Sequence, residues 1–361
     1  MFGLLIREGK NRGPLKNIGD YVQSIAQRQF LRNKETCLVE IEELSDFKSD
    51  KQINVIMNGW FTWNCNKFLP PDNINPLFVS FHLTPPQEKA FFTPEVVNYL
   101  KLHQPIGARD SKTEEMMKAH GIDSYLSGCL TLTLGKEYLQ QGPHDGDVYI
   151  VDPYLEFGGD KSRPIIIRLF KSLYYSIRYY RKAKLLIGKY IDQYSTPISK
   201  LSIKADHFIQ TATFYAVYSQ RFSDEILLNA KYLTVLVDNN LSNEKKFELA
   251  DKMLKNYANA KFVLTSRLHV SFPCLAVHTK NIFVTPSYKN EEKTVLRYTG
   301  RLKGLEDTVT IMELQNGKLI DRTDKLPCKI NLENLPSNKN GYIKYCDSLS
   351  KKVTRFVESF K

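Results

Sequence analysis

Thr265-Ser266-Arg267-Leu268-His269 places two hydroxyls, a guanidinium and an imidazole within five residues, directly behind the apolar run Phe262-Val263-Leu264 and ahead of an apolar stretch through Phe272, Leu275 and Ala276. The pattern is a strand running into a helix. Ser266 is read as the helix cap, which puts Arg267 and His269 in the first turn. Free backbone donors, the positive end of the helix dipole and a guanidinium converge there on a phosphate or carboxylate. His269 adds a group that exchanges protons near neutral pH. The alternative is a basic first turn that holds no ligand.

Five further segments are chemically suggestive. Asn17-Ile18-Gly19-Asp20 stands between a first apolar run and a first amphipathic segment, where a parallel sheet offers its carboxyl edge to ligands. Gly19 permits close backbone approach, whereas in the plainer reading Asn17 caps the helix and Asp20 complements its dipole. Asn58-Gly59-Trp60-Phe61 pairs a glycine turn with aromatics that either stack on a sugar face or are simply buried. His82, ending Ser80-Phe81-His82, faces a cleft or satisfies a local hydrogen bond. Arg109, in Gly107-Ala108-Arg109-Asp110, precedes the capping box Ser111-Lys112-Thr113-Glu114, a place suited to anions, unless it forms a surface pair with Asp110. Ser127-Gly128-Cys129-Leu130-Thr131-Leu132-Thr133 mixes small polar residues with glycine, and Cys129 has no base beside it.

The elements that must position these residues follow an alternating plan. Residues 2–6 read as a strand and not as a signal peptide. Ile18, Tyr21, Val22, Ile25, Ala26, Gln29 and Phe30 then repeat at helical spacing. Strands are expected at Cys37–Ile41, Asn54–Met57 and Leu77–Phe81, with helix starts at Thr93-Pro94-Glu95 and at Ser111, the latter helix stopping at Gly121. The polar segment Gln140–Asp147 reads as a linker. Beyond it, strands are expected at Val148–Val151, Leu185–Ile187, Leu233–Val237 and Lys261–Thr265, with a helix carrying Phe247, Ala250, Leu254 and Tyr257 before the last. Tyr342 to Phe360 reads as a closing helix that packs back across the first unit. The fold class is α/β with parallel sheets, in two domains, as 361 residues allow.

Lys plus Arg number 51 against 39 Asp plus Glu, a net charge of +12, so the partner or substrate is expected to be anionic. The six cysteines stand singly, which excludes a zinc motif or a disulfide framework and suits a reducing cytosol. No run approaches a membrane span. Nine cations and no acid lie between Lys161 and Lys189, interleaved with Ile, Leu, Phe and Tyr. Arg168, Lys171, Arg178, Arg181 and Lys182 of this stretch would contact an anionic bilayer, or form the solvated face of a core helix. No nucleic-acid module accompanies the charge.

Taken together and in order, the Asn17–Asp20, Asn58–Phe61, Ser80–His82, Gly107–Asp110 and Ser127–Thr133 segments and Ala260–Pro273, with its Ser266–His269 core, resemble the polysaccharide pyruvyl transferase family over most of residues 1–300. The resemblance implies two Rossmann-like domains facing across a cleft, GT-B-like: residues 1–143 on the acceptor side, 144–340 on the donor side, and 341–361 as the returning helix. It implies transfer of a pyruvyl group from phosphoenolpyruvate onto two hydroxyls of a sugar, closing a ketal and releasing phosphate, with no metal or other cofactor. The donor would be held by Arg267, Ser266, His269 and Arg109, with His269 as acid and Asp20 or Asp110 as base. Asn17, Gly19, Asn58, Gly59, Trp60, His82, Cys129 and Thr131 would line the acceptor side. The acceptor would be a galactose-type glycan, lipid-linked in one version, handled at the inner face of the cytoplasmic membrane. A nucleotide-sugar glycosyltransferase and a non-catalytic glycan- or membrane-binding protein remain open on the same scaffold.

Overall fold

The computed structural model describes residues 1–8, 13–155, 163–194, 203–286, 302–321, 323 and 325–360. Strands β1 (Phe2–Ile6), β2 (Leu15–Asn17), β3 (Thr36–Glu40), β4 (Ile53–Trp60), β5 (Ile74–His82), β6 (Ile106–Ala108) and β7 (Ser124–Leu126) come first. All but β2 form a six-stranded parallel sheet in the order β3-β1-β4-β5-β6-β7. Every residue of β1 is buried, as expected of a strand covered on both faces. Strands β8 (Val148–Val151), β9 (Lys231–Leu233), β10 (Leu236–Asp238), β11 (Phe262–Thr265), β12 (Asn281–Pro286), β13 (Ile311–Gln315) and β14 (Lys318–Asp321) follow. A second six-stranded sheet has the order β14-β13-β12-β11-β8-β9, with only β14 antiparallel.

Each sheet reverses direction beside its first strand. β1 has β3 on one side and β4 on the other, and β8 has β9 and β11. Chain leaving such a strand pair diverges, so a crevice opens at the carboxyl ends of β1/β4 and of β8/β11, where ligands bind in open α/β sheets.

Three expectations are corrected. Leu185–Ile187 is not a strand but the middle of the helix Tyr180–Tyr194, which buries Ala183 and Leu186 three residues apart and leaves Leu185 exposed. Leu233–Val237 is not one strand: the chain leaves the second sheet after β9, and β10 pairs antiparallel with β2, placing Leu236 opposite Asn17. The break is fixed at Val235, whose N–H donates to Asp152 Oδ2 at 3.2 Å and whose carbonyl accepts from Ile18 N at 2.8 Å. Third, the helix Ser111–Ala119 is capped by Asp110, which accepts from Thr113 N at 3.0 Å, and not by Ser111.

The first helix, Gly19–Arg28, buries Tyr21, Val22, Ile25 and Ala26 at helical spacing in one core with Ala250, Leu254 and Tyr257 of the helix Asn243–Asn259. The closing helix, Ile343–Glu358, sets Leu349, Val353 and Val357 into that core, and Phe356 meets Phe2 of β1 edge-on at 6.4 Å.

Candidate active site

Arg7 directly follows β1 and is almost wholly buried, which a cation tolerates only with partners. Its Nη1 lies 3.1 Å from Asp20 Oδ1, its Nε 2.9 Å from Glu42, and Nη2 donates to the Trp60 carbonyl. The guanidinium also stands over the Trp60 ring, 5.0 Å from its centroid. Lys16, equally buried, reaches Asp20 Oδ2 at 3.1 Å. Burial alone would raise the pKa of Asp20, but Arg7, Lys16 and His269 outweigh it and hold this carboxyl well below the usual carboxylate range. Asp20 is therefore a fixed negative charge and a weak base.

Asn58, Gly59 and Trp60 line a small cavity with Arg7, Asp20 and Gln23. Asn58 itself docks the first helix on β4: its Oδ1 accepts from Gln27 Nε2 and its Nδ2 donates to the Gln23 carbonyl at 3.3 Å. Both ends of its amide are engaged on the scaffold. The indole N–H of Trp60 is shared between the hydroxyls of Thr62 and Thr84 at 2.5 and 2.6 Å.

At the other crevice Asp152 follows β8 and Arg267 follows β11. Asp152 Oδ2 accepts from Arg267 Nε at 2.8 Å, which aims a guanidinium that is 30% exposed. Its terminal nitrogens donate to none of the described residues. Ser266 is not the cap: its hydroxyl accepts from Tyr154 N at 2.7 Å, and Arg267 is the N-cap of the helix Leu268–Ala276 without a side-chain bond to it. His269 is the second helical residue, with ψ +16°, so the turn is distorted at the imidazole.

Gly19 and His269 stand against each other. A methyl group there would lie 3.0 Å from Asn17 Oδ1 and 3.1 Å from His269 Nδ1. Asn17 Oδ1 already accepts from Gly19 N at 2.8 Å, so it shapes the turn into the helix. Asn17, Gly19 and Asp20 thus stand against His269 across the two sheets.

Along the first sheet the series continues at β5 and β6. His82 Nδ1 lies 2.6 Å from Asp110 Oδ2, while Asp110 Oδ1 accepts from the backbone N–H and the hydroxyl of Thr113 at 3.0 and 3.1 Å. Burial would raise Asp110, but His82 and Arg109 lower it below its ordinary value. It is buried, and both of its oxygens are occupied. It holds His82 through Nδ1. Arg109 is 2% exposed and makes no ion pair or side-chain hydrogen bond with the described residues, so it is not a surface partner of Asp110. Burial, with Arg7 adding to it, disfavours its charged form, and Cys129, Asp110 and Asp20 offset this only in part. Cys129 and Thr131 contact each other at 3.1 Å inside the core and present no surface to an acceptor.

Arg7, Lys16 and Asp152 belong to this cluster of charges, and sequence reasoning passed over them. Arg7 and Asp152 each stand directly behind a sheet's first strand, a position that could have marked them. Ser80, two residues before His82, holds φ +55°, and its buried hydroxyl meets no partner among the described residues. Of the residues expected at a membrane, Lys182 pairs with Asp224 at 2.6 Å, Arg168 and Lys171 are half-buried, and Arg178 and Arg181 are exposed. Lys161 lies outside the described residues.

No significant match was found among curated proteins or among solved structures. The model of one family, polysaccharide pyruvyl transferase, matches residues 17–288, a span that opens at Asn17 and contains Arg109, Arg267 and His269. That match covers most of the chain, and the protein belongs to the polysaccharide pyruvyl transferase family.

Proposed function

We propose that the protein transfers a pyruvyl group from phosphoenolpyruvate onto two hydroxyls of one sugar. The observation that carries this reading is the meeting of His269 with Gly19 and Asp20, beside a guanidinium aimed by Asp152. An enol phosphate accepts an alcohol only after its methylene carbon is protonated, and its phosphate and carboxylate must be neutralised meanwhile. His269 delivers that proton. Arg267, the uncapped helix terminus and Arg109 hold the two anionic groups. One sugar hydroxyl attacks C2 of the donor, the C2–O bond to phosphate breaks, and the second hydroxyl closes the ketal. Of the two hydroxyl protons released, one restores His269 and the other leaves with phosphate through a base. His82, oriented by Asp110, suits that base better than Asp20 or Asp110.

The two sheets are read as facing domains in the GT-B manner, residues 1–143 with the acceptor and 144–340 with the donor, closed by 341–361. No metal or other cofactor is assigned a role. The acceptor is taken to be a galactose-type glycan, carried on a lipid.

Calorimetry tests the donor and its site together. Phosphoenolpyruvate should bind, uridine diphosphate should not, and Arg267→Ala should weaken phosphoenolpyruvate roughly 10- to 100-fold, the loss of charge-assisted hydrogen bonds. Binding of the nucleotide alone would move the protein to the nucleotide-sugar glycosyltransferases. Unchanged affinity in Arg267→Ala would remove the donor from this helix.

Gly19→Ala tests that meeting. The added methyl presses on His269 and Asn17, and a displaced imidazole lowers turnover by roughly tenfold or more. Alanine is the better helix former, so melting should stay within a few degrees of wild type. Unaltered turnover would mean that His269 is not held in place by this contact.

A further inference from the structure

The helix Ile165–Arg178 is amphipathic in the inverted sense. It buries Ser172 and turns Ser176 half inward, while Ile166, Phe170, Leu173 and Ile177, spaced as one helical stripe, are 62, 69, 50 and 81% exposed. A water-facing helix normally shows the opposite pattern, and a contiguous apolar stripe of this size marks an interaction surface. No acid lies on this helix, and Lys171 and Arg178 flank the stripe. Beside it the β13–β14 hairpin turns through Asn316 and Gly317, both at positive φ, and brings Lys318 and Ile320 against Lys171 and Ile167. The result is a notch with ammonium groups and an amide at its rim and isoleucines in its wall.

We propose that this stripe and notch dock on the surface of an anionic phospholipid bilayer, the stripe entering the acyl boundary and Lys171, Lys318 and Asn316 receiving a lipid phosphate. The charges select this occupant. A second copy of the chain would set cations against cations, and a nucleic acid would leave the isoleucine and phenylalanine stripe in water. An anionic bilayer satisfies both features at once. No helix among the described residues is long and apolar enough to cross a membrane, so the contact is one of lying on the surface. The proposal concerns a face of the protein separate from the donor site and is read without turnover.

Co-sedimentation of the full chain with vesicles tests it. Equimolar phosphatidylcholine and phosphatidylglycerol should carry the protein down at low salt, with binding at least about tenfold above phosphatidylcholine alone and falling as salt rises. Phe170→Glu combined with Ile177→Glu should abolish sedimentation, and Lys171→Glu combined with Lys318→Glu should erase the preference for the anionic lipid. These side chains are exposed or at the rim, so melting temperatures close to wild type confirm intact folding. Sedimentation indifferent to phosphatidylglycerol would overturn the proposal, as would a double glutamate variant that still binds. A dimer in sedimentation velocity, dissolved by the same glutamates, would give the face to a second copy.

Discussion

Replacing Arg109 by methionine should make the protein more stable and weaken its hold on the donor. A guanidinium that is 2% exposed, with no ion pair or side-chain hydrogen bond to the described residues, carries a desolvation cost that the folded chain does not recover by itself. The carboxylates of Asp110 and Asp20 offset part of it through their fields. Methionine fills a similar volume without the charge, and the gain is expected at about 1 kcal/mol or more, on the scale seen when buried ions give way to apolar side chains. Arg109 shares the field of Arg7 and Asp20, so a donor anion held between it and Arg267 would supply the missing partner. Phosphoenolpyruvate should therefore raise the melting temperature of wild type by mass action and leave Arg109→Met unmoved. Donor affinity in the variant should fall by roughly a hundredfold. A variant that melts well below wild type would show instead that Arg109 holds the core together.

That trade of stability for binding was not visible in the order of residues. Gly107-Ala108-Arg109-Asp110 reads equally as a surface ion pair, because exposure is a property of the β5–β6 edge and not of the four residues. The strands themselves are legible wherever burial on both faces demands a continuous apolar run, as in Phe2–Ile6 and Phe262–Thr265. Leu185–Ile187 is such a run too, but three residues carry no period, and the burial of Ala183 with Leu186 decides for a helix. The helix Gly19–Arg28 and the Arg267–His269 turn were readable from strand-to-helix junctions. What each side chain does there was not: Ser266 is claimed by Tyr154, 112 residues away, and Arg267 by Asp152, 115 away. Asp110 looked like a base and proves to be a cap and a clamp on His82. Cys129 and Thr131, expected on the acceptor side, lie in the core. Long-range pairing, which local pattern does not encode, separates the residues that bind from those that build.

His269→Ala should lower turnover by roughly 10²- to 10⁴-fold, the usual worth of a positioned general acid. Donor binding should survive within a few-fold, because Arg267 keeps its hydrogen bond to Asp152 and Arg109 is untouched. Phosphate release and calorimetry on the same preparation separate these two effects. The chemistry supplies a second, independent readout. Protonation of the methylene carbon makes a methyl group, so wild type working in heavy water should place one deuterium in the methyl group of the ketal. The residual reaction of His269→Ala should carry the same label but lose the limb of the pH profile that reports the acid. Asp20 stays ionised in the variant, since Arg7 and Lys16 continue to hold it, and any change in profile then belongs to the imidazole. Near-wild-type turnover with an intact profile would return the proton to another donor, and His82, clamped by Asp110 on the first sheet, would be the residue to replace next.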